Sequence, residues 1–406
     1  MSLPRRARVL ILDAHTNEAL ACARSLGRAG HRVLVASQRR RPLAAWSRYC
    51  EAAFKVQGET PAAFRALRDW ARERRVQVVL PLSERSCLLC NGERSEWEAC
   101  GITVGCAPDA TLLRAFDKGR TLAYAEACGV RIPPTRVPQS LAECREAAAA
   151  LGYPCVVKPR FSNAWDGDRF LPDRGPAYVS DPADLDDVVR MHAQGDHWPV
   201  IQGIVPGQGK GVFTVCNHGR AVAWFAHERL RDVRPSGSGS SLRRSVALDP
   251  RLRAPAERLL CEMQWHGPAM VEFRDDGVAP PCLMEVNGRF WGSLQLAVAA
   301  GRDFPRLWVD VLSGTGGDSE PADTYQEGVT LRWLWGDVKR FLYILAGPPA
   351  GYPGTYPSVA QGLRELLGPQ PAGTRVETWD RDDPWPAVGE WVEGARELLG
   401  RIRSKR

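Results

Sequence analysis

Two short apolar segments, residues 269–273 and 282–286, each contain one glutamate, Glu272 and Glu285. A turn rich in Asp, Gly and Pro separates them, a pattern that predicts a pair of antiparallel strands. Asn287 follows two residues after Glu285, so on a strand both side chains point to the same face. If the strands pair, Glu272 lies beside them and three oxygen ligands face one point. Such ligands suit Mg²⁺, with Mn²⁺ as the alternative metal.

Arg289 stands two residues beyond Asn287 and therefore predicts a fixed cation beside this metal site. A guanidinium in that position is suited to a phosphate or an acyl phosphate. The competing interpretation is a sheet whose charged residues face solvent. It is disfavoured because both glutamates lie inside apolar segments, where a bare charge is costly.

Two lysines precede this region, and the second of them lies where its ammonium group is expected to meet an anion. Lys118 opens a predicted helix, and Lys158 ends a short apolar strand, where lysine is uncommon unless its ammonium meets an anion. Two polar loops, residues 161–170 and 235–241, are candidate covers over a bound anion, and the second follows the basic strand end 227–231. Plain surface loops are the alternative interpretation.

The N-terminal residues 8–37 read as strand, helix and strand, and further alternation to about residue 110 predicts a small doubly wound sheet. The turn at 13–18 contains no glycine, which disfavours NAD binding. The strand ends at 13–17 and 83–85 are candidate substrate contacts, with simple loop polarity as the alternative. The segment GQGKG at 207–211 lacks P-loop spacing and predicts a hairpin turn.

Composition limits the class of protein. The chain has 406 residues, 44% of them hydrophobic and 25% charged, with a net charge of +7 and 12 cysteines. We expect a cytoplasmic globular protein without a membrane span or a leader, with most cysteines buried as small apolar residues. The basic run at 39–41 is interpreted as solvated surface, with binding of an anionic substrate as the alternative. Zinc at Cys87 and Cys90, and nucleic-acid binding, are minor alternatives.

The order of these elements carries a family resemblance. Lys118 before a helix, Lys158 at a strand end, a Pro-Gly turn near 206, Glu272, and the segment 285–289 follow one another as in the ATP-grasp superfamily. Over roughly residues 1–310 the chain resembles the branch that contains carbamoyl-phosphate synthase large chain and biotin carboxylase.

The resemblance implies a multidomain α/β and α+β fold. A Rossmann-like domain would span 1–112 and the small lobe of the ATP-grasp fold 113–198. The C-terminal lobe with the metal site would span 199–315, and a small extension 316–406.

The resemblance also implies roles for individual residues. Lys118 and Lys158 would bind nucleotide phosphates, and Met284 would lie beneath the adenine. The hinge that offers backbone groups to adenine would consist of Gln202, Gly203, Ile204 and Val205. The Mg²⁺ ligands would be Glu272, Glu285 and Asn287. Arg289 would steady the transferred phosphoryl group, and we predict acceptor-side contacts from Arg229, Arg231 and Trp291.

Two departures from the family pattern are visible. Gln202-Gly203 stands where an acidic residue is common, and Gly288 stands where proline often precedes the arginine. The resemblance implies an ATP-dependent ligase that activates a small carboxylate as an acyl phosphate for an amine or thiol. Carboxyphosphate or carbamate chemistry and a non-catalytic ATP-binding module remain alternatives. We expect small-molecule partners, no nucleic acid, no membrane, and a homodimer.

Overall fold

The computed structural model describes residues 4 and 6–404, except 168, 173, 316–323, 350, 351 and 353. The strands are β1 (Arg8–Ile11), β2 (Arg32–Ser37), β3 (Cys50–Lys55), β4 (Val78–Leu80), β5 (Thr103–Val104), β6 (Thr135–Arg136), β7 (Cys155–Lys158), β8 (Ala177–Val179), β9 (Val200–Gly203), β10 (Gln208–Asn217), β11 (Arg220–Arg231), β12 (Leu242–Ser245), β13 (Gly267–Asp275), β14 (Cys282–Asn287), β15 (Thr330–Arg332) and β16 (Arg375–Val376). The helices are α1 (Asn17–Arg28), α2 (Pro61–Glu73), α3 (Glu84–Asn91), α4 (Arg94–Ala99), α5 (Asp109–Phe116), α6 (Lys118–Ala127), α7 (Leu141–Leu151), α8 (Leu185–His192), α9 (Pro250–Glu262), α10 (Leu294–Ala299), α11 (Phe304–Leu312), α12 (Leu334–Ala346), α13 (Val359–Leu367) and α14 (Trp385–Ser404).

The N-terminal sheet is parallel throughout, in the order β3-β2-β1-β4-β5. Its central strands are runs of buried valine and leucine, as expected for a sheet covered on both faces. Helix α1 begins where the Thr16 hydroxyl accepts a hydrogen bond from the backbone N–H of Ala19, 3.3 Å away. The predicted doubly wound sheet is confirmed.

A second, four-stranded antiparallel sheet has the order β6-β9-β7-β8. Helices α7 and α8 cover it through a small apolar core that includes Cys144, Val157, Leu185 and Ile201. Strand β9 is hydrogen-bonded in this sheet, although the predicted boundary at 198/199 assigns it to the following lobe. The pairing therefore carries the small sheet through Gly203. The domain ranges themselves stay predictions.

The third sheet has seven strands in the order β14-β13-β10-β11-β12-β15-β16. The predicted strand pair is confirmed as β13 and β14, whose antiparallel register sets Glu272 opposite Glu285 and Met270 opposite Asn287. The prediction of a hairpin turn at GQGKG is wrong. From Gln208 onward that segment belongs to β10 and pairs with β13, because β9 and β10 lie in different sheets.

The C-terminal residues complete the large sheet and contact the N-terminal domain. Strands β15 and β16 extend the sheet beyond β12. The guanidinium of Arg24 in α1 donates to the Asp383 carboxylate at 2.9 Å, and both side chains are almost fully buried. The predicted linker at 316–323 lies outside the described residues.

Two further features are the burial of the cysteines and the length of the apolar helices. Cys22, Cys155 and Cys282 are buried, as predicted. No helix in the described part of the chain is long and apolar enough to cross a membrane.

Candidate active site

The hairpin of β13 and β14 gathers the three predicted metal ligands. The Asn287 side-chain amide lies 3.2 Å from a carboxylate oxygen of Glu272 and 3.2 Å from one of Glu285. Burial, together with the Glu285 carboxylate, raises the pKa of Glu272 to about 7. Two carboxylates held this close are relieved by a cation between them.

This donor set fits a hard divalent cation shared with phosphate oxygens. It offers two carboxylates and one amide oxygen, the ligand chemistry that Mg²⁺ takes when nucleotide phosphates complete the coordination shell. In the described ranges, no three His, Cys, Asp or Glu side chains are grouped so that they could hold a metal by themselves.

A narrow cavity on one side of the carboxylates contains both predicted phosphate lysines. Lys118, Lys158, Gln202 and Met284 line it together with Glu285 and Asn287. The Lys118 ammonium donates to the Ser162 hydroxyl at 3.0 Å. Burial lowers the pKa of Lys158 to about 8, although the Glu285 carboxylate acts in the opposite direction. An anion in this cavity would meet two ammonium groups.

The predicted hinge connects the four-stranded sheet to the seven-stranded sheet. Residues 204–207 lead from β9 in the small sheet to β10 in the large one, and Ile204 is 41% exposed. Gln202 is buried, and its amide nitrogen donates to the Thr135 hydroxyl at 2.9 Å. The carbonyl oxygen of the same side chain is buried without a hydrogen-bond partner among the described residues. This acceptor is available to an N–H group of a ligand, which gives the departure from an acidic residue a physical role.

A larger cavity of about 510 Å³ lies on the other side of the same carboxylates. Glu272, Glu285 and Asn287 line it together with Arg229, Arg289 and Trp291. We call it the acceptor cavity. Because Glu285 and Asn287 also line the lysine cavity, these two side chains form the boundary between the two spaces.

Arg229 and Arg289 bring positive charge to this boundary. The Arg229 guanidinium lies 3.6 Å from a Glu272 carboxylate oxygen. Arg289 donates to the backbone carbonyl of Phe290 at 2.9 Å and leaves its other N–H groups available for ligands. The indole N–H of Trp291 is buried in the same wall without a hydrogen-bond partner among the described residues. An oxyanion in the cavity would find the N–H donors of two guanidinium groups here.

The structure does not bring Arg231 to the site, which corrects the prediction. Its guanidinium donates to both oxygens of the buried Asp337 carboxylate at 2.9 Å and to Gln370 at 3.0 Å. The strand pairing shifts register between Arg229 and Arg231, so the two side chains no longer share one environment. Arg231 is not among the described residues that line the acceptor cavity.

Both predicted cover loops contact the cavities. Ser162 of loop 161–170 holds Lys118, and Asn163 accepts a hydrogen bond from Arg85 at 2.6 Å. Residue 168 of this loop lies outside the described residues. In the second loop, Ser238, Gly239 and Ser240 line the acceptor cavity.

The N-terminal domain contributes to the acceptor cavity through the strand end predicted at 13–17. His15, Thr16 and Asn17 line it, whereas the Asp13 carboxylate is held by Ser86 and the backbone of Leu82. Glu18 also lines the cavity. Burial raises the pKa of this carboxyl group, although the Arg289 guanidinium acts in the opposite direction.

Sequence reasoning missed the side chains that the C-terminal residues supply. Arg39 was interpreted as solvated surface, but it donates to Glu393 at 2.7 Å and lines the acceptor cavity. Three glutamates of α14 line the same cavity, at positions 390, 393 and 397. Their spacing predicts that they share one helix face. A charged face of this kind usually contacts solvent, so the sequence did not indicate a cavity wall.

Comparisons with known proteins agree with this arrangement. A family model described as "ATP-grasp in the biosynthetic pathway with Ter operon" matches residues 200–336. Formate-dependent phosphoribosylglycinamide formyltransferase of Stutzerimonas stutzeri is 34% identical over 106 residues, 26% of each chain. The same enzyme of Azotobacter vinelandii is 34% identical over 111 residues, 27% of each chain. The matched region therefore spans about a quarter of the length of these curated relatives.

Solved structures share the fold over most of the chain. A biotin carboxylase from Campylobacter jejuni superposes with a TM-score of 0.63 at 15% identity, covering 80% of this chain and 75% of the other. An N5-carboxyaminoimidazole ribonucleotide synthetase in complex with ADP gives a TM-score of 0.62 at 14% identity, covering 85% and 87%. An L-amino acid ligase from Bacillus licheniformis gives 0.55 at 19% identity, covering 77% and 74%. At these identities the likeness shows the fold alone. The family model adds an ATP-grasp sequence match, which is confined to residues 200–336.

Proposed function

We propose that the protein is an ATP-dependent ligase that activates a carboxylate as an acyl phosphate for attack by an amine, releasing ADP and phosphate. One observation carries the proposal. Glu285 and Asn287 form a common wall between a lysine-lined cavity and a cavity lined by Arg229 and Arg289. A nucleotide in the first and a carboxylate in the second would meet at that wall.

The lysine cavity, about 20 Å³ in this structure, is assigned to the phosphates of ATP and must widen to admit the nucleotide. Lys118 and Lys158 would bind the phosphates, and Met284 would pack beneath the adenine. The unpartnered carbonyl oxygen of Gln202 would accept from the adenine amino group. Ile204 and Val205 would offer backbone groups at the rim, while Gly203 N–H is already bonded to the Pro134 carbonyl at 2.9 Å.

Glu272, Glu285 and Asn287 would hold Mg²⁺, with Mn²⁺ as the alternative. When bound, the metal supplies charge neutralisation at the phosphates. The protein's own groups orient the reactants: Arg289 and Arg229 direct N–H donors at the oxygens that gain charge during transfer. The loops 161–170 and 235–241 would limit access of water to the acyl phosphate.

Phosphate release tests the proposal. ATP, Mg²⁺ and a panel of small carboxylates and amines are incubated with the wild type, with Glu285→Gln, and with Asp276→Asn. Asp276 is exposed in the turn of the same hairpin and makes the charge-removing control. We expect release that requires one carboxylate–amine pair, persists in Asp276→Asn, and falls by at least 100-fold in Glu285→Gln.

Two other outcomes have definite meanings. Release that requires bicarbonate in place of an organic acid would assign carboxyphosphate chemistry. If calorimetry shows that the protein does not bind ATP, the proposed function is wrong.

We also propose a cytoplasmic location, as expected from the sequence, and a homodimer, as the family resemblance implies. Light scattering on the purified full chain tests the second point, and a monomeric mass would contradict it.

A further inference from the structure

One wall of the acceptor cavity is built by residues that lie mostly beyond the region matched by the ATP-grasp family model. We call it the C-terminal wall. It consists of Arg39, Trp333, Trp335, Lys339, Glu390, Glu393 and Glu397. Trp335 and Lys339 are one turn apart on α12, and the three glutamates follow one face of α14. The wall therefore presents three carboxylates and two indoles to the same space as Arg289.

Glu393 is the residue of this wall with unused hydrogen-bonding capacity. Its side chain is 9% exposed, and one carboxylate oxygen accepts from the Arg39 guanidinium at 2.7 Å. The other oxygen is buried without a hydrogen-bond partner among the described residues. A buried acceptor left unsatisfied is costly, and a charged N–H donor from a ligand removes that cost.

The other charges of the wall are largely engaged with one another. Lys339 lies 3.8 Å from a Glu397 oxygen and 5.4 Å from the centre of the Trp333 ring. Glu390 accepts from the Trp333 indole at 2.6 Å and from the Thr378 hydroxyl at 2.9 Å. Burial raises the pKa of Glu390 to about 7. Because Glu390 is largely protonated below this pH, Glu393 and Glu397 balance Arg39 and Lys339, and the unsatisfied Glu393 oxygen makes a further cation easier to accommodate than an anion.

The indoles favour the same kind of ligand. The faces of tryptophan rings attract ammonium and guanidinium groups, most strongly where water is excluded. Lys339 already lies over Trp333 in this way, and the buried Trp335 lines the cavity beside it. Aromatic surface next to a partly satisfied carboxylate is a binding site for a cationic nitrogen group.

We propose that the C-terminal wall recognises an ammonium or guanidinium group on the substrate, so that the ligase acts on basic compounds. The inference rests on the proposed function, because the wall and the reacting end belong to one cavity. Glu393 accepts the N–H of this group, and the indoles of Trp333 and Trp335 cover it. The opposite possibility is a substrate carboxylate bound by Arg39 and Lys339, and the test below separates the two.

Ligand binding is measured by calorimetry on the full chain, so that the result does not depend on turnover. The probes are pairs matched in length that differ in one cationic group: arginine and citrulline, lysine and norleucine, and 1,5-diaminopentane and pentylamine. Glutamate serves as the anionic probe. The proteins are the wild type, Glu393→Gln, and the control Glu73→Gln, whose side chain is 71% exposed at the end of α2.

We expect the cationic member of at least one pair to bind the wild type and Glu73→Gln tenfold or more tighter than its neutral partner. In Glu393→Gln that preference falls to within twofold, because the amide keeps one oxygen for Arg39 and turns N–H groups toward the ligand. An unchanged melting temperature shows that Glu393→Gln is folded. Lys339→Met, which removes a competing cation, retains or increases the preference.

The inference is overturned if no pair shows this preference, or if glutamate binds more tightly than the cations. Phosphate release separates this failure from that of the proposed function. Turnover of neutral substrates without a preference for cations would support the ligase function and contradict the inference about the C-terminal wall. Cation binding without phosphate release for any carboxylate–amine pair would support the cation site and contradict the ligase function.

Discussion

Arg229 and Arg231 are two positions apart on β11, and their surroundings differ completely. Arg229 lies at 3.6 Å from Glu272 and lines the acceptor cavity. Arg231 is bonded to Asp337, whose side chain is 1% exposed. An ideal strand would point both side chains to one face, and the register shift between them prevents this. We therefore expect Arg229 to act in the site and Arg231 to stabilise the fold.

Alanine at each position measures that separation. Arg229→Ala is expected to reduce ATP-dependent phosphate release about 100-fold with little change in stability, because donors at a reacting centre are lost. Arg231→Ala is expected to lower the free energy of unfolding by about 1–3 kcal/mol, because the buried Asp337 loses one arginine partner and keeps Arg332. Urea unfolding and kcat/KM are measured on both. Equal effects of the two substitutions on kcat/KM would contradict the assignment.

Glu390 predicts a pH dependence of stability. Burial raises the pKa of this carboxyl group in the folded protein to about 7, above its ordinary value of 4.5. The folded state therefore holds a proton that the unfolded chain has released, and its stability falls as the pH rises from about 4.5 through 7. Glu390→Gln keeps the contacts to Trp333 and Thr378 and cannot ionise.

The variant is expected to be more stable than the wild type by about 1–3 kcal/mol at pH 8, with a clearly smaller difference at pH 5 and none below about pH 4. Chemical unfolding at these pH values measures it. A difference that is the same at pH 5 and pH 8 would show that Glu390 does not titrate in this range.

At the scale of elements, the hairpin of β13 and β14 depends on close packing at Gly288. A methyl group at this position would overlap the ring of Trp265 and approach Phe116 to 3.3 Å. Gly288 thus lets the buried Trp265 pack directly against the end of β14, between Asn287 and Arg289. The departure from proline does not loosen this segment, because the indole and Phe116 confine it.

Gly288→Ala is expected to lower the free energy of unfolding by about 1–3 kcal/mol, the usual cost of overpacking, and to reduce kcat/KM because Asn287 and Arg289 move with the strand. The double variant Gly288→Ala/Trp265→Phe removes part of the overlapping ring and recovers part of both losses. No recovery in the double variant would place the cause elsewhere.

At the scale of the whole molecule, three distant parts of the chain enclose one acceptor cavity. The N-terminal domain supplies residues 15–18, the hairpin supplies the carboxylates, and the C-terminal residues supply one wall. Buried contacts hold these parts together. Asp383 alone accepts hydrogen bonds from Arg24, Ser47 and the backbone of Arg48. We therefore expect the C-terminal residues to be needed for both folding and activity.

Asp383→Ala is expected to lower the free energy of unfolding by about 3–5 kcal/mol, because Arg24 keeps its buried charge without that carboxylate. The exposed neighbour gives the control, Asp382→Ala, which is expected to change stability by less than about 0.5 kcal/mol. Thermal and urea unfolding measure both. Similar effects of the two substitutions would show that the Arg24–Asp383 contact does not join the two parts.

The sequence by itself determined the parts of this protein that repeat at short range. Alternation of apolar residues specified the N-terminal sheet and the β13–β14 hairpin, because side-chain direction on a strand depends on position alone. The spacing of Glu285, Asn287 and Arg289 followed from the same rule. Lys158 could be predicted because a charge in an apolar segment needs a partner, whereas the role of Lys118 was predicted from the family resemblance.

Tertiary structure alone decided which distant groups share a space. The register shift that removes Arg231 from the site, the partition of β9 and β10 between two sheets, and the contact of Arg39 with Glu393 depend on pairings between residues far apart in the chain. The face of α14 that carries Glu393 has the pattern of an exposed helix. It becomes a cavity wall because the packing of the whole chain covers it, and no local pattern encodes that environment.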